Sequence, residues 1–117
     1  MDKALVHAAA AGDASKVGEL LSMGARVDAR DQGYTPLLVA AKFGHTEVCK
    51  LLLKTGKVNM KETTPTGFTP FLVAAQFGHI EVCKLLLKTG KANVKESKPN
   101  GFTPLLLAAM KGHSEVC

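Results

Sequence analysis

The sequence has no tryptophan and a single tyrosine, and aromatic residues make up only 5% of its 117 residues. It also lacks any apolar run near the roughly 20 residues that a membrane-spanning helix needs. Its first residues do not form a secretory signal, because Asp2 and Asp13 interrupt the apolar stretch. Charged residues reach 21% against 46% apolar residues, a balance typical of globular chains. We therefore expect a globular protein of the cytosol or nucleus, with no membrane segment.

Cysteine is scarce as well. Only Cys49, Cys83 and Cys117 are present, and they are spaced 34 residues apart. An odd number of cysteines in an intracellular chain argues against a disulfide framework. Equivalent residues of neighbouring packed helices lie about 8–10 Å apart, whereas a disulfide spans Cα atoms no more than about 7 Å apart. We therefore expect three free thiols.

Acidic residues are few in the second part of the chain, which makes the charge uneven. Residues 1–33 hold four basic and five acidic residues, a net charge of −1, whereas residues 34–117 hold eleven lysines and five glutamates, a net charge of +6. A basic segment favours acidic partners. The lysines best placed to meet such a partner stand in the predicted loops: Lys57, Lys61, Lys91, Lys95 and Lys98.

The sequence does contain an internal repeat of 34 residues. The segment 34–45 (YTPLLVAAKFGH) returns with few changes at 68–79 and at 102–113. The segment 47–56 (EVCKLLLKTG) returns unchanged at 81–90 and begins again at the end of the chain. Such periodicity predicts an array of small units, each of which covers the apolar face of its neighbour.

Each unit predicts two short helices joined by a tight turn. Thr35 suits the N-cap of the first helix, and Pro36 suits its first position. Gly44 is expected to end this helix, because glycine adopts the left-handed conformation without steric cost. The second helix carries Glu47 in its first turn, where the helix dipole favours an anion, and ends at Gly56. Isolated helices shorter than about 12–15 residues are marginal in water, so each unit depends on its neighbours.

These motifs resemble the ankyrin repeat family. The resemblance rests on Gly-x-Thr-Pro-Leu at 33–37, the Ala-Ala pair, Gly-His at 44–45 and the leucine stretch that ends at Gly56. It implies an all-α fold, namely a solenoid of stacked helix–turn–helix units with protruding β-turn or hairpin loops, in one domain spanning 1–117. The implied repeats span about 1–32, an N-terminal capping repeat with a more polar outer face, then 33–66, 67–100 and a truncated 101–117.

Three features depart from the pattern of that family. Leucine stands at 38, 72 and 106, where the family often has histidine, and we expect apolar packing to replace the missing hydrogen bonds between repeats. The period of 34 exceeds the usual period of about 33 residues, which predicts one extra residue at the loop tips. The chain stops early in the second helix of the fourth repeat. From this we expect either a fragment of a larger array or an end covered by another chain, including end-to-end self-association.

The resemblance implies binding of another protein, without a cofactor, through the loop tips and the concave face of the first helices. Tyr34, Phe68 and Phe102 would form a ladder there, with Phe43 and Phe77 as a second pair. Aromatic residues dominate interface hot spots; the alternative is that these rings pack on the adjacent loop and support the fold. The predicted partner-binding residues are Gln32, Tyr34, Lys42, Phe43, Thr66, Phe68, Gln76, Phe77, Asn100, Phe102, Met110 and Lys111.

Other functions have weaker support in the sequence. His45 and Cys49 have a spacing that could hold zinc, as do the corresponding pairs of later repeats, but buried structural cysteine is the commoner use of such a position. Each candidate catalytic residue recurs with the repeat, and no phosphate-binding glycine loop is present, so we expect neither an enzyme nor a bound metal. Aromatic residues beside lysines leave single-stranded nucleic acid as an alternative partner. A purely architectural segment of a longer chain is the third possibility.

Overall fold

A computed structural model describes residues 2–59 and 61–88. Within these ranges the chain forms six helices, which confirms the predicted all-α repeat fold. Their bounds are α1 (Asp2–Ala11), α2 (Ala14–Ser22), α3 (Pro36–Phe43), α4 (Thr46–Lys54), α5 (Pro70–Gln76) and α6 (Ile80–Lys88). No helix of this described part is long and apolar enough to cross a membrane. The predicted truncated repeat at 101–117, and the self-association expected through it, lie outside the described residues.

The helices stack in two rows. Helix α3 contacts both α1 and α5, which forms the row of first helices, and α4 contacts both α2 and α6, which forms the row of second helices. Both rows supply fully buried leucines to one core, among them Leu5, Leu52 and Leu86. Leu38 and Leu72 are also 0% exposed. Two of the leucines that stand where the family often has histidine therefore pack in the core, as expected, and the third, Leu106, lies outside the described residues.

Local sequence sets the ends of the first helices. The side-chain oxygen of Thr35 accepts a hydrogen bond from the backbone N–H of Leu38 at 3.3 Å, and Thr69 caps α5 in the same way. A proline follows each of these threonines at the first helical turn, where no backbone N–H is needed. Gly44 ends α3 in the left-handed conformation, with a φ of 73°. The caps predicted at Thr35 and Gly44 are confirmed.

The histidines that follow Gly44 and Gly78 join neighbouring repeats. The Nε2 atom of His45 lies 2.9 Å from the carbonyl oxygen of Ala10, and Nε2 of His79 lies 2.8 Å from that of Lys42. A carbonyl oxygen can only accept, so Nε2 donates in both bonds. Ala10 and Lys42 lie in the last turns of α1 and α3, where carbonyl groups lack a partner within the helix. The repeats are therefore joined by hydrogen bonds as well as by the apolar packing that the sequence predicted.

The glycine of one repeat leaves room for the histidine of the next. A Cβ atom at Gly12 would lie 2.6 Å from Nδ1 of His45, and one at Gly44 would lie 2.5 Å from Nδ1 of His79. Both glycines also have positive φ angles, 74° and 73°. Glycine is thus required at these turns for two reasons, the backbone conformation and the space that the next repeat occupies.

A buried carboxylate connects the repeats at their loops. Glu62 is 9% exposed and accepts a hydrogen bond from the hydroxyl of Thr35, which is 1% exposed. Burial raises the pKa of the Glu62 carboxyl above its ordinary value of 4.5, while the Thr35 hydrogen bond and the charge of Arg30 partly oppose this rise. Arg30 donates to the carbonyl oxygens of Gly33 at 2.6 Å and Thr63 at 3.0 Å. The loop before α3 and the loop before α5 are therefore joined at this point.

The substitution Gly44→Ala should lower the free energy of unfolding by at least about 1 kcal/mol more than Gly56→Ala does. Gly56 is the matched control, because its φ of 69° is similar but a Cβ atom there meets nothing within 4 Å. Both variants carry the cost of positive φ, and only Gly44→Ala also displaces His79. Urea unfolding of the full chain measures the difference, and equal losses in the two variants would contradict a role for this contact.

The buried state of Glu62 predicts a pH dependence of stability. Because its pKa is raised on folding, the folded state binds more protons than the unfolded state between the two pKa values, and stability falls as pH rises through that window. The wild-type free energy of unfolding, relative to that of Glu62→Gln, should therefore decrease as pH rises above 4.5. The amide oxygen of the variant still accepts from Thr35. Urea unfolding over a pH series tests this, with Glu47→Gln on the exposed side of α4 as the charge control, and a difference that increases with pH would contradict it.

Candidate partner-binding surface

One lysine lies among three aromatic rings at the end of α3. The Nζ atom of Lys42 is 5.0 Å from the ring centre of Tyr34, 5.5 Å from that of Phe43 and 6.0 Å from that of Phe77. These distances allow attraction between the ammonium group and the faces of the rings. Phe43, the last residue of α3, is 51% exposed, and Phe77, the residue after the end of α5, is 47% exposed. We call these four residues the Lys42 cluster.

Two pockets lie on either side of the Lys42 cluster, and Tyr34 and Lys42 line both of them. The first has a volume of about 300 Å³ and lies between α1 and α3. The second, of about 310 Å³, lies between α3 and α5. Besides the shared pair, the first is lined by Val6, His7, Ala10, Asp31, Gln32 and Val39. The second is lined by Thr64, Thr66, Phe68, Val73, Gln76 and Phe77.

The two pockets differ in charge. In the first, His7 Nε2 lies 2.6 Å from a carboxylate oxygen of Asp31, so the acidic group already has a partner. The second pocket has no charged residue among its own lining beyond the shared Lys42. A ligand that crossed Lys42 would therefore meet an acidic group on the α1 side and a neutral, partly apolar surface on the α5 side.

The structure places most of the predicted partner-binding residues on this surface. Gln32, Thr66 and Phe43 are exposed, Tyr34 and Gln76 are half-buried, and all except Phe43 line one of the two pockets. Gln32 has an unusual positive φ of 55° at the tip of its loop. Four further residues of the prediction lie outside the described residues: Asn100, Phe102, Met110 and Lys111.

The expected aromatic ladder of exposed rings does not include Phe68, which is buried. Its side chain is only 7% exposed and belongs to the core, whereas Tyr34, at the equivalent position, is half-buried. The backbone N–H of Thr64 donates to the carbonyl oxygen of Phe68 at 2.9 Å, and the N–H of Phe68 donates to the hydroxyl of Thr64 at 3.2 Å. The burial of the Phe68 ring in the core agrees with the alternative, in which the ring packs on the adjacent loop and supports the fold.

The two ionisable residues His7 and Asp31 of the first pocket were missed in the sequence analysis, as were its apolar lining residues Val6, Ala10 and Val39. The sequence does indicate the position of His7. The alignment that pairs Gly12 with Gly44 also pairs His7 with Val39. Val39 lines the same pocket as His7. Asp31 forms an isolated antiparallel bridge with Tyr34. Asp31 reaches His7 because of the path of the loop before α3. The repeat pattern of the sequence does not predict that path.

The geometry disfavours the zinc site considered for His45 and Cys49. Cys49 and Cys83 are 0% and 2% exposed and belong to the apolar core, where burial raises the pKa of their thiols to about 12 and about 11. The ring of His45 is already bonded to the carbonyl oxygen of Ala10. Nowhere in residues 2–59 and 61–88 do three or more His, Cys, Asp or Glu side chains group so that they could hold a metal ion.

The difference between the buried and exposed rings predicts different effects on stability. Phe68→Ala should lower the free energy of unfolding by about 3 kcal/mol, because it leaves a cavity in the core. Phe43→Ala should change it by less than about 0.5 kcal/mol, because the ring is half-exposed and lies outside the core. Urea unfolding of the two variants is the measurement, and similar losses in both would contradict the assignment of Phe43 to a free surface.

A sequence comparison agrees with this architecture. The family model described as "Ankyrin repeats (3 copies)" matches residues 2–62 and, a second time, residues 56–117. No curated protein gives a significant match to the chain. The two matched ranges together extend from residue 2 to residue 117, and they agree with the three stacked helix pairs of the described residues. The chain therefore belongs to the ankyrin repeat family, whose members are generally protein–protein interaction modules.

Proposed function

We propose that this chain binds another protein through the Lys42 cluster and the two pockets beside it. The observation that carries the proposal is the exposure of Phe43 and Phe77 on the same surface, around a lysine that is held between the pockets. About half of each of these large apolar side chains remains in contact with water. A partner that covers this apolar area gains the free energy of burying it. The same residues have no evident role in the core, in contrast to Phe68.

The scaffold suits this role because it holds the cluster rigidly. Lys42 lies in the last turn of α3, and its backbone carbonyl is fixed by His79 of the next repeat. Side chains on packed helices lose less conformational entropy on binding than side chains on mobile loops do. A few such anchors supply most of the binding energy of an interface, often more than about 2 kcal/mol each.

A partner with an acidic and apolar surface fits the charges of the chain. Residues 34–117 carry a net charge of +6, and the groove offers rings for apolar contact. Protein is favoured over nucleic acid because a phosphate backbone is bound by several cations along its path, whereas the described groove has one lysine and also carries Asp31. The proposed location is the cytosol or nucleus, where free cysteines such as Cys49 and Cys83 persist.

Removal of both exposed rings, by Phe43→Ala with Phe77→Ala, should weaken partner binding at least about tenfold without unfolding the chain. The immobilised full-length chain is used to capture proteins from extracts, and those retained by the wild type are measured again with the variant by quantitative mass spectrometry. Met23→Ala is the matched control, since Met23 is 60% exposed at the end of α2 in the other helix row. Equal capture by the double variant and the wild type would contradict this surface assignment.

A further inference from the structure

Lys42 lies beside aromatic rings, whereas three lysines within the second helices lie beside glutamates. Lys16, Lys50 and Lys84 each lie within 4.0 Å of a glutamate three residues away on the same helix. For Lys42 the described residues provide no carboxylate within ion-pair distance, and its ammonium group lies beside rings instead. Contact with ring faces leaves N–H donors of an ammonium group free for an anion. The charge of Lys42 is thus available to a ligand, whereas the three others are already balanced.

Within residues 2–59 and 61–88, one first helix carries a lysine at the position of Lys42, and the equivalent positions of the other two are neutral. The carbonyl groups of Ala10 and Lys42 accept equivalent bonds from His45 and His79, which places Ala10 and Lys42 at equivalent positions. The 34-residue repeat places Gln76 at the same position in α5. A neutral residue therefore precedes Lys42 in the row and another follows it. A ligand lying along the equivalent positions 10, 42 and 76 meets a single cation.

The surroundings of Lys42 also limit where a second negative charge could lie. On the α1 side, a further carboxylate would approach Asp31, and like charges at short range repel. On the α5 side, the second pocket presents Phe77, Val73 and the side chains of Thr66 and Gln76, which suit apolar and neutral polar groups. The surface therefore favours one carboxylate with apolar neighbours over a continuous run of acids.

We propose that Lys42 binds a single Asp or Glu side chain of a partner polypeptide whose neighbouring side chains are apolar and pack on Phe43 and Phe77. This inference rests on the proposed function and names the residue that selects the partner. The rings hold the ammonium group in place before the partner arrives, so less freedom is lost on binding. When the partner covers the rings, the ion pair is shielded from water and becomes stronger than an exposed pair.

The experiment begins with a library of random peptides displayed on phage and selected on the immobilised full-length chain. The enriched peptides are expected to contain one Asp or Glu flanked by apolar residues. One such peptide and its Glu→Gln or Asp→Asn counterpart are then titrated against wild type, Lys42→Met, Lys42→Arg and Lys50→Met. Lys50→Met is the matched control because Lys50 already pairs with Glu47 on α4.

For the wild type, loss of the peptide carboxylate should weaken binding about tenfold, a change in binding energy of about 1.4 kcal/mol. For Lys42→Met, the acidic and neutral peptides should bind with similar affinity, because a double-mutant cycle isolates the pairing of the two charges. Lys42→Arg should restore the preference, and Lys50→Met should leave it intact. An equal preference for the acidic peptide in wild type and Lys42→Met would overturn the inference, as would enrichment of peptides with continuous acidic runs.

A further arm separates this inference from the proposed function. Phe77→Ala should weaken the same peptides at least about tenfold, whether or not they carry an acid. If Phe77→Ala weakens binding but Lys42→Met leaves the acidic preference unchanged, the surface is correct and the carboxylate site is wrong. If neither substitution changes binding of the selected peptides, both the site and the proposed function fail.

Discussion

The contact between a helix-ending glycine and the histidine of the next repeat sets the spacing of the array. Helices of seven to ten residues do not persist alone in water, so each helix pair depends on the surface of its neighbour. Gly44 admits the ring of His79 because it has no side chain, and His79 then donates to the carbonyl oxygen of Lys42. Apolar packing resists separation in general, whereas a directed hydrogen bond fixes one register between the repeats.

This contact also links stability with function. The backbone of Lys42 is part of the connection between repeats, while its side chain lies in the groove among three rings. Selection for a partner can therefore alter the side chain at this position without removing the structural bond. The equivalent residues Ala10 and Gln76 show that the position accepts different side chains, and the cation is present at only one of the three.

The repeat pattern predicts the helices and their caps. It does not predict the paths of the loops, and these paths decide which side chains of the site are exposed. Caps at Thr35 and Gly44 followed from residue types with one strong local preference. The burial of Phe68 did not, because periodicity assigns it the same role as Tyr34. The loop before α5, residues 55–69, is two residues longer than the loop before α3, residues 23–35. Phe68 pairs with Thr64, four residues earlier, whereas Tyr34 pairs with Asp31, three residues earlier. The two loops therefore place equivalent aromatic residues in different surroundings.

Net charge was a poorer guide to the surface than the placement of individual charges. The +6 of residues 34–117 suggests broad attraction for anions, but on α4 and α6 Lys50 and Lys84 are balanced by glutamates one turn away. Exposed pairs of this kind add little binding or stability. In the groove, by contrast, one ammonium group is held beside rings, and no carboxylate of the described residues lies within ion-pair distance of it. Long-range charge chiefly governs the rate of encounter, whereas a charge shielded at contact governs discrimination. In the proposed function, specificity therefore rests on Lys42 more than on the total charge.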